Sequence, residues 1–203
     1  MKIAVAGASG RAGSCITAEL ARRGHSVTAI ARNPEKIARL ANVTAVAGDA
    51  NDRAGLAKLW AGHDAAVSSI HFLDSDVETL IGAAKDSGIS RYLVVGGAGS
   101  LEVAPGVQLV TTPNFPAQYK AEAEKGAAFL DRLKQEKQLS WTFLSPSALI
   151  DFGNRTGKFR LGTDQLLVDS SGKSWISFED FAVAMADEIE RPAHIRKRFT
   201  VGY

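Results

Sequence analysis

Three glycines near the start of the chain are spaced for phosphate binding. Gly7, Gly10 and Gly13 form the pattern GxxGxxG in the stretch GASGRAG, after the apolar run 3–6 and at the start of a predicted helix over 12–23. Glycines let the backbone turn sharply and let phosphate oxygens approach main-chain N–H groups, and a helix N-terminus adds roughly half a positive charge there. The combination is typical of a dinucleotide pyrophosphate site. Because glycine triplets are common, the rest of the chain must supply the context.

A basic residue stands where NAD sites usually have an acidic one. About 20 positions after the glycines, an acidic residue binds the adenosine ribose hydroxyls of NAD. Arg32 holds that place, 19 residues beyond Gly13. A guanidinium pairs with a 2′-phosphate, which a carboxylate would repel. Arg11 and Lys36 are second and third candidates for the same phosphate, the alternative for all three being solvated surface charge. We therefore expect NADP(H) to be preferred over NAD(H).

The remaining predicted cofactor contacts follow the predicted strands. Asp49 ends the third strand, where it accepts a hydrogen bond from the adenine amino group or, alternatively, caps the next helix. Ligands of parallel sheets bind beyond the carboxyl ends of the strands, so these strand-end residues are expected to line one site. The predicted cofactor-binding residues are Gly7, Ser9, Gly10, Arg11, Ala12, Gly13, Arg32, Asp49, Ser68 and Ser69.

Strand and helix patterns alternate along most of the chain. Strands are predicted at 3–6, 26–31, 43–47, 65–68, 92–95, 141–144 and 198–201, and helices at 12–23, 52–60, 77–84, 117–137 and 178–189, with a short helix beginning at Pro34. A long loop is predicted over 101–116 and a hairpin pairing 158–161 with 166–169. Alternation at this pace indicates βαβ units, so we predict an α/β fold with a doubly wound parallel sheet, the Rossmann fold.

Bulk composition narrows the class of protein. The chain has 203 residues, 45% of them apolar and 23% charged, with a net charge of +2. These values predict a single soluble domain over 1–203 without a nucleic-acid surface. No run of about 18 apolar residues and no signal-peptide pattern is visible, so neither a membrane span nor secretion is expected. The single cysteine, Cys15, excludes an internal disulfide, and we expect a cytoplasmic protein.

Several longer stretches resemble one family. They are GASGRAG, AIARNP, GDA, LSPSALI, GNRTGKFRLGTDQLLVD, GKSWISFEDFAVAMADEIERP and RFTVGY. Together they resemble the NADH-flavin reductase family of atypical short-chain dehydrogenase/reductases, close to biliverdin-IXβ reductase and NmrA-type proteins, over nearly the whole chain. The resemblance implies a Rossmann domain with a small C-terminal substrate-covering part, much of it formed by 146–180. It also implies reduction of a flavin, quinone or similar acceptor by a nicotinamide cofactor.

The acid–base machinery of ordinary short-chain dehydrogenases is incomplete. Those enzymes use a serine and a Tyr-x-x-x-Lys pair, whereas Tyr119 is followed four residues later by Ala123. Lys120 lies about 100° around the helix and cannot replace the lysine. Alcohol, ketone and sugar-nucleotide epimerase chemistry, which needs that pair, is therefore disfavoured. Flavin or quinone reduction needs mainly positioning, because hydride passes between stacked rings and solvent supplies the proton.

Three residues are candidates for contact with the reacting groups. Tyr119 is the first, with packing as its alternative, and Ser100 follows the fifth strand where a catalytic serine would lie. His71, after the fourth strand, would contact the nicotinamide ribose or donate a proton, unless it is simply an exposed loop histidine. The other histidines show no metal-ligand spacing, and no metal site is predicted.

These residues leave three functions open. The first is an NADPH-dependent reductase of a flavin, quinone or similar small acceptor by direct hydride transfer. The alternative is a non-catalytic NADP(H)-sensing regulator of the NmrA type, and isomerase or epimerase chemistry is a third, weaker possibility. The expected partner is a small-molecule acceptor, for which FMN or FAD are candidates, and the expected state is a monomer or homodimer.

Overall fold

The alternating pattern produces one large sheet. The computed structural model describes residues 1–203 and contains twelve strands and five α-helices. The strands are β1 (Lys2–Ala6), β2 (Ser26–Ala31), β3 (Val43–Ala47), β4 (Ala65–Ser68), β5 (Arg91–Val95), β6 (Glu102–Ala104), β7 (Val107–Gln108), β8 (Ser140–Ser145), β9 (Leu149–Asp151), β10 (Arg160–Gly162), β11 (Trp175–Ser177) and β12 (Lys197–Gly202). The helices are α1 (Arg11–Arg22), α2 (Arg53–Trp60), α3 (Val77–Asp86), α4 (Ala117–Lys134) and α5 (Phe178–Glu190).

Eight strands form the sheet, in the order β10-β12-β8-β5-β4-β1-β2-β3. Seven of them are parallel, and only β10 runs antiparallel, against β12. This confirms the predicted α/β Rossmann-like fold. The strand order reverses between β1 and β4, which opens a crevice at their carboxyl ends.

Each face of the sheet carries its own core. Side chains alternate along a strand, so Ile3 and Val5 face one side while Ala4 and Ala6 face the other. On the first side α1 and α5 cover the sheet, and on the second α2, α3 and α4 do. Closely packed apolar side chains therefore fix the helices to both faces of the sheet.

The helix boundaries follow local chemistry. Gly24 adopts the left-handed conformation, φ +82°, just beyond α1, which is a common way for a helix to end. The Asp52 and Ser177 side chains cap α2 and α5, where they accept hydrogen bonds from the N–H groups of Gly55 and Asp180. Ser177 and Asp180 form only half of a capping box, because the Asp180 carboxylate accepts hydrogen bonds from the loop at 156–157 instead.

The region between β8 and α5 corrects the predicted hairpin. Residues 158–161 and 166–169 do not pair with each other; β10 pairs with β12, and the Leu166 N–H donates to the carbonyl of Glu102 over 2.8 Å. The segment 101–116 is also more than a loop, since β6 and β7 form a small hairpin within it. Period-two alternation predicts a strand but does not identify a partner far away in sequence. None of the helices combines the length and the apolar character that a membrane crossing needs.

Candidate functional site

The main cleft lies at the crevice where the strand order reverses. It spans about 670 Å³, including the open solvent at its mouth. Its walls come from the loops after β1, β2, β3 and β4. The lining residues are Ala6, Gly7, Ser9, Gly10, Ile30, Ala31, Arg32, Gly48, Asp49, Ala50, Asn51, Ser69, Ile70, His71 and Asp74.

The three glycines have three different geometric tasks. Gly7 adopts φ +79°, and a Cβ atom there would lie 2.1 Å from the carbonyl oxygen of Ser69, so only glycine fits between β1 and the loop after β4. A Cβ atom on Gly13 would lie 2.1 Å from the Gly7 carbonyl oxygen, so α1 starts directly on the turn. Gly10 lines the cleft, where a Cβ would stand 3.2 Å from its nearest neighbour, the Gly7 oxygen.

The start of α1 presents free hydrogen-bond donors. Gly10 is the N-cap residue and supplies no side-chain acceptor. The Gly10 and Ser14 N–H groups bind carbonyls of the turn, but those of Arg11, Ala12 and Gly13 have no acceptor within the protein. Unpaired N–H groups at a helix N-terminus favour an anion such as a phosphate. The donor set therefore fits a dinucleotide pyrophosphate.

Arg32 lies on the cleft wall with its charge free. The residue is exposed, and its guanidinium makes no ion pair or hydrogen bond with the protein. No carboxylate follows β2 at the position that binds ribose hydroxyls in NAD sites. Lys36 does not line the cleft, so of the three candidates for a 2′-phosphate only Arg32 stands where the prediction requires.

The Arg11 side chain points elsewhere than predicted. It forms an ion pair with Asp151, and its guanidinium carbon lies 5.2 Å and 5.0 Å from the ring centres of Phe152 and Phe178. It is therefore not beside Arg32, which corrects the expectation that both face one phosphate. The reason is that the C-terminal part of the chain places one carboxylate and two aromatic rings beside the first turn of α1, and these attract the guanidinium.

Asp49 lines the cleft and does not cap a helix. Its carboxylate accepts a hydrogen bond from the Asn51 N–H over 2.9 Å, while Asp52 caps α2. The alternative role of a helix cap is therefore wrong. Asn51 also lines the cleft and donates from Nδ2 to the carbonyl of Asp74 over 3.0 Å, which joins the loops after β3 and β4. No motif in the sequence predicts that contact.

The two predicted serines at the end of β4 lie in different surroundings. Ser69 lines the cleft. Ser68 is buried within the sheet, with Oγ 2.8 Å from the hydroxyl of Tyr92, so its side chain lies outside the cleft. Burial raises the pKa of Tyr92, which keeps that phenol neutral.

His71 lines the same cleft and is 81% exposed. Its Nδ1 lies 3.4 Å from Oε1 of Glu122, a residue of α4 that has no sequence signal of its own. Glu122 also accepts hydrogen bonds from the N–H groups of Phe72 and Leu73. The structure therefore joins a predicted residue to one that sequence reasoning missed.

Tyr119 and Ser100 are not part of the cleft lining. Tyr119 lies in the first turn of α4 and is 61% exposed. Ser100 is buried, with its Oγ 3.4 Å from Nη1 of the buried Arg198, so the expectation of an accessible catalytic serine is wrong. A Cβ atom on Gly99 would lie 2.7 Å from the Cβ of Ala123, so α4 packs against the loop after β5 at the position where a lysine would be needed.

The segment 146–180 reaches α1 as well as α5. Arg155 donates two hydrogen bonds to Glu19 of α1, and the hydroxyl and N–H of Thr156 bind Asp180. Phe152 is 55% exposed and packs on Phe178, with ring centres 5.1 Å apart. Arg155 and Thr156 thus fix the loop, whereas the Phe152 ring contacts Phe178 and Arg11 and is still more than half exposed.

The structure favours neither a reactive thiolate nor a metal centre. Burial, followed by the nearby Glu179 carboxylate, raises the pKa of the Cys15 thiol, which disfavours the reactive thiolate. No group of three or more His, Cys, Asp or Glu side chains is arranged to hold a metal ion.

Comparison with known proteins identifies relatives across the whole chain. The model of a family described as NAD(P)H-binding matches residues 7–192. The chain is 41% identical to the uncharacterized protein YwnB of Bacillus subtilis, and the match covers 99% of this chain and 98% of that protein.

Three solved structures share the fold closely. A putative exported protein from Burkholderia pseudomallei is 46% identical with a TM-score of 0.91, and the match covers 100% of both chains. A putative epimerase from Bacteroides thetaiotaomicron is 39% identical with a TM-score of 0.95, over 100% of this chain and 96% of that one. A putative NADH-flavin reductase from Streptococcus pneumoniae is 32% identical with a TM-score of 0.86, over 100% and 99%. Their names differ, so a specific activity has to be argued from the site.

Proposed function

This chain belongs to the NAD(P)H-binding family of atypical short-chain dehydrogenase/reductases, and on that premise we propose that it is an NADPH-dependent reductase of a flavin, quinone or similar small acceptor. A bound nicotinamide would supply a hydride, and the protein would supply orientation and electrostatics. The name of the Streptococcus pneumoniae relative, a putative NADH-flavin reductase, agrees with this chemistry.

The preference for the phosphorylated cofactor rests on the cleft wall. The free N–H groups of Arg11, Ala12 and Gly13 would hold the pyrophosphate, and the adenosine end would then extend over the loops after β2 and β3. Arg32 lies on that wall without a carboxylate partner, so its guanidinium is available to a 2′-phosphate. Asp49 on the same wall remains the proposed acceptor for the adenine amino group.

The observation that carries the proposed reaction is the packing of Ala123 against Gly99. Carbonyl reduction in short-chain dehydrogenases needs a lysine one helical turn after the tyrosine, and here α4 approaches the loop after β5 too closely at that point. The protein therefore lacks that acid–base pair. Hydride transfer to a flavin or quinone depends mainly on alignment of two rings, which this site can provide without the pair.

The acceptor would lie beyond the carboxyl edge of the sheet, next to the cleft. Loops after parallel strands meet at that edge, and α4 begins there. Three exposed apolar side chains lie on these segments, namely Leu73 at 60%, Tyr119 at 61% and Phe152 at 55%. Exposed aromatic side chains suit a planar acceptor, and Phe152 would be the side chain of 146–180 that covers it.

The direct test is acceptor-dependent oxidation of NADPH. Under anaerobic conditions, NADPH absorbance is followed with FMN, FAD and small quinones, and thermal unfolding with and without NADPH reports binding separately. The proposal predicts both stabilisation by NADPH and oxidation that requires an acceptor and turns over many times. Stabilisation without oxidation by any acceptor would instead favour a regulator that senses NADP(H).

A further inference from the structure

The carboxylate of Glu122 on α4 holds the turn that carries His71. Its Oε1 accepts a hydrogen bond from the Phe72 N–H over 2.7 Å, and its Oε2 accepts one from the Leu73 N–H over 2.9 Å. Phe72 and Leu73 begin the 3-10 turn Phe72–Asp74, and His71 is the residue before it. One carboxylate thus satisfies two donors that the turn itself leaves free.

The turn is fixed to α4 by apolar packing as well. The Phe72 ring is 6% exposed and lies 5.3 Å from the Phe129 ring and 6.1 Å from the Phe143 ring, measured between centres. Below it, Gly126 leaves the space that the ring fills, since a Cβ there would lie 2.8 Å from the ring. Ser75 donates from Oγ to the His71 carbonyl over 3.0 Å. The His71 backbone is therefore well fixed, although its side chain is exposed.

The imidazole of His71 lies between the cleft and α4. Its Nδ1 is 3.4 Å from Oε1 of Glu122, and no other acidic side chain is within ion-pair distance. The other charged residues lining the cleft are Arg32, Asp49 and Asp74. This contact is within ion-pair distance but does not have hydrogen-bond geometry, and catalytic contacts often tighten only when the substrate is bound.

Position on α4 connects this pair to the proposed acceptor. Tyr119 and Glu122 are three residues apart, so they share one face of the helix. The face that lacks a lysine at Ala123 therefore carries a carboxylate that reaches a histidine on the neighbouring loop. A molecule beside Tyr119 would have His71 on the side of the dinucleotide cleft.

We propose that His71 is the proton donor to a quinone-type acceptor and that Glu122 is the residue that positions it. This inference rests on the proposed reductase function. A bound reduced nicotinamide would supply the hydride, with both electrons, to the quinone, and the His71 imidazolium would give its Nε2–H proton to the quinone oxygen. The products are the oxidised dinucleotide, the hydroquinone and neutral His71, which regains a proton from solvent because its ring is exposed.

The kinetic test uses NADPH and menadione with variants on both sides of the pair. His71→Ala lowers kcat about 100-fold, the usual scale for a general acid, while the KM for menadione and the Kd for NADPH change less than threefold. Added imidazole restores much of that rate. Glu122→Gln lowers kcat about tenfold, and Glu122→Asp retains more activity. Ser75→Ala is the control, because it removes the hydrogen bond to the His71 carbonyl but leaves both side chains of the pair in place. Its kcat stays within twofold of wild type.

A second readout needs neither cofactor nor turnover. Nitrogen-15 spectra of the cofactor-free protein, with His71 identified by its loss in His71→Ala, report which ring nitrogen carries the proton in the neutral imidazole. With Glu122 as the Nδ1 partner, Nδ1 carries it in wild type. In Glu122→Gln the proton moves to Nε2, the nitrogen that free histidine prefers.

Each outcome decides a different claim. Full activity in both His71→Ala and Glu122→Gln, in a wild type that reduces menadione, overturns this inference and leaves the reductase function standing. An unchanged ring tautomer in Glu122→Gln overturns the positioning role alone. If Ser75→Ala and Glu122→Gln lower kcat to the same extent, Glu122 is only a structural cap of the turn. If wild type reduces no acceptor, both the function and this inference are wrong. If Glu122→Gln does not fold, the kcat of Glu122→Asp still tests the positioning role of Glu122. Imidazole rescue of His71→Ala still tests proton donation by His71.

Discussion

The carbonyl oxygen of Gly7 lies 2.1 Å from the point where a Cβ atom on Gly13 would stand. The turn after β1 and the first turn of α1 are thus in direct backbone contact, and Gly10, the N-cap residue of that helix, lines the cleft. The glycine spacing therefore serves two purposes at once: it permits the left-handed conformation of Gly7, and it seats the helix that would bind the pyrophosphate.

Replacing Gly13 with alanine should damage both stability and cofactor binding. Alanine usually stabilises a helix interior by about 0.5–1 kcal/mol relative to glycine, but here the added methyl group meets backbone that cannot move away. We expect Gly13→Ala to lower the free energy of unfolding by about 1–3 kcal/mol and to weaken NADPH binding. Urea unfolding and fluorescence titration measure the two effects.

A helical glycine elsewhere provides the matched control. The three atoms nearest to a Cβ on Gly82, which is buried in α3, all belong to the guanidinium of Arg53, and that flexible side chain is half exposed. Gly82→Ala should leave both NADPH affinity and stability nearly unchanged. Equal losses in the two variants would contradict a specific role for the contact between Gly7 and Gly13.

Arg32→Ala should separate the two nicotinamide cofactors. Loss of a charged hydrogen bond to the 2′-phosphate costs about 1–3 kcal/mol, which raises the Kd for NADPH roughly 5- to 150-fold. NADH lacks that phosphate, so its Kd should stay the same. Lys36→Ala is the control, because Lys36 is exposed and outside the cleft. The same loss for NADPH and NADH would rule out contact with the 2′-phosphate.

Tyr119 should act through its ring and not through its hydroxyl. No lysine lies one turn further along α4, so Tyr119→Phe should change kcat by less than about threefold, far below the 10²–10⁴-fold that a general acid contributes. Tyr119→Ala should raise the KM for the acceptor, because the exposed ring is removed. Gln118→Ala, at the neighbouring exposed position, should change neither constant. A large fall in kcat for Tyr119→Phe would restore Tyr119 as a proton donor.

Glu19 should make the stability depend on pH. Burial alone would raise the pKa of this carboxyl, but hydrogen bonds from Arg155, Arg22 and Arg23 outweigh burial and hold it well below the usual range. A carboxyl with a depressed pKa in the folded state stabilises the protein above its unfolded pKa, near 4.3, and loses that contribution as pH falls further.

The corresponding variant is Glu19→Gln. At pH 7 it should lower the free energy of unfolding by about 1.5–3 kcal/mol, and its difference from wild type should shrink below about pH 4. Glu124→Gln is the control, since Glu124 is exposed and lies 4.0 Å from Lys120, its only ion-pair partner. Denaturant titrations between pH 3 and pH 8 give both curves. A difference that stays constant with pH would contradict the role of the carboxylate charge.

Much of the sheet and of the cofactor cleft can be predicted from the sequence because their signals are local. β2, β3 and β4 begin and end at the predicted residues, and Arg32 stands on the cleft wall as its spacing after Gly13 requires. Apolar periodicity, the glycine turn and strand-end loops all act within a few residues of each other. Their positions in space then follow from parallel pairing.

The parts that sequence reasoning missed depend on contacts between distant segments. β10 pairs with β12, some 40 residues later, because β12 leaves its edge open. Arg11 turns to Asp151 through an ion pair spanning 140 residues, and Ser100 is buried beside Arg198. Glu122 looks like any exposed helix carboxylate until α4 is placed beside the turn after His71. No pattern within a short stretch of sequence indicates partners that are so distant along the chain.

The most direct test of the central claim is a single turnover with stereospecifically deuterated NADPH and menadione. Enzyme in excess is mixed anaerobically with NADPH carrying deuterium at one or the other position of nicotinamide C4, and absorbance at 340 nm is followed. Direct hydride transfer in a fixed site predicts rapid oxidation only when menadione is present, slowed severalfold by deuterium at one of the two positions. NADPH that binds but stays reduced with menadione, and with FMN or FAD in its place, would contradict the reductase account.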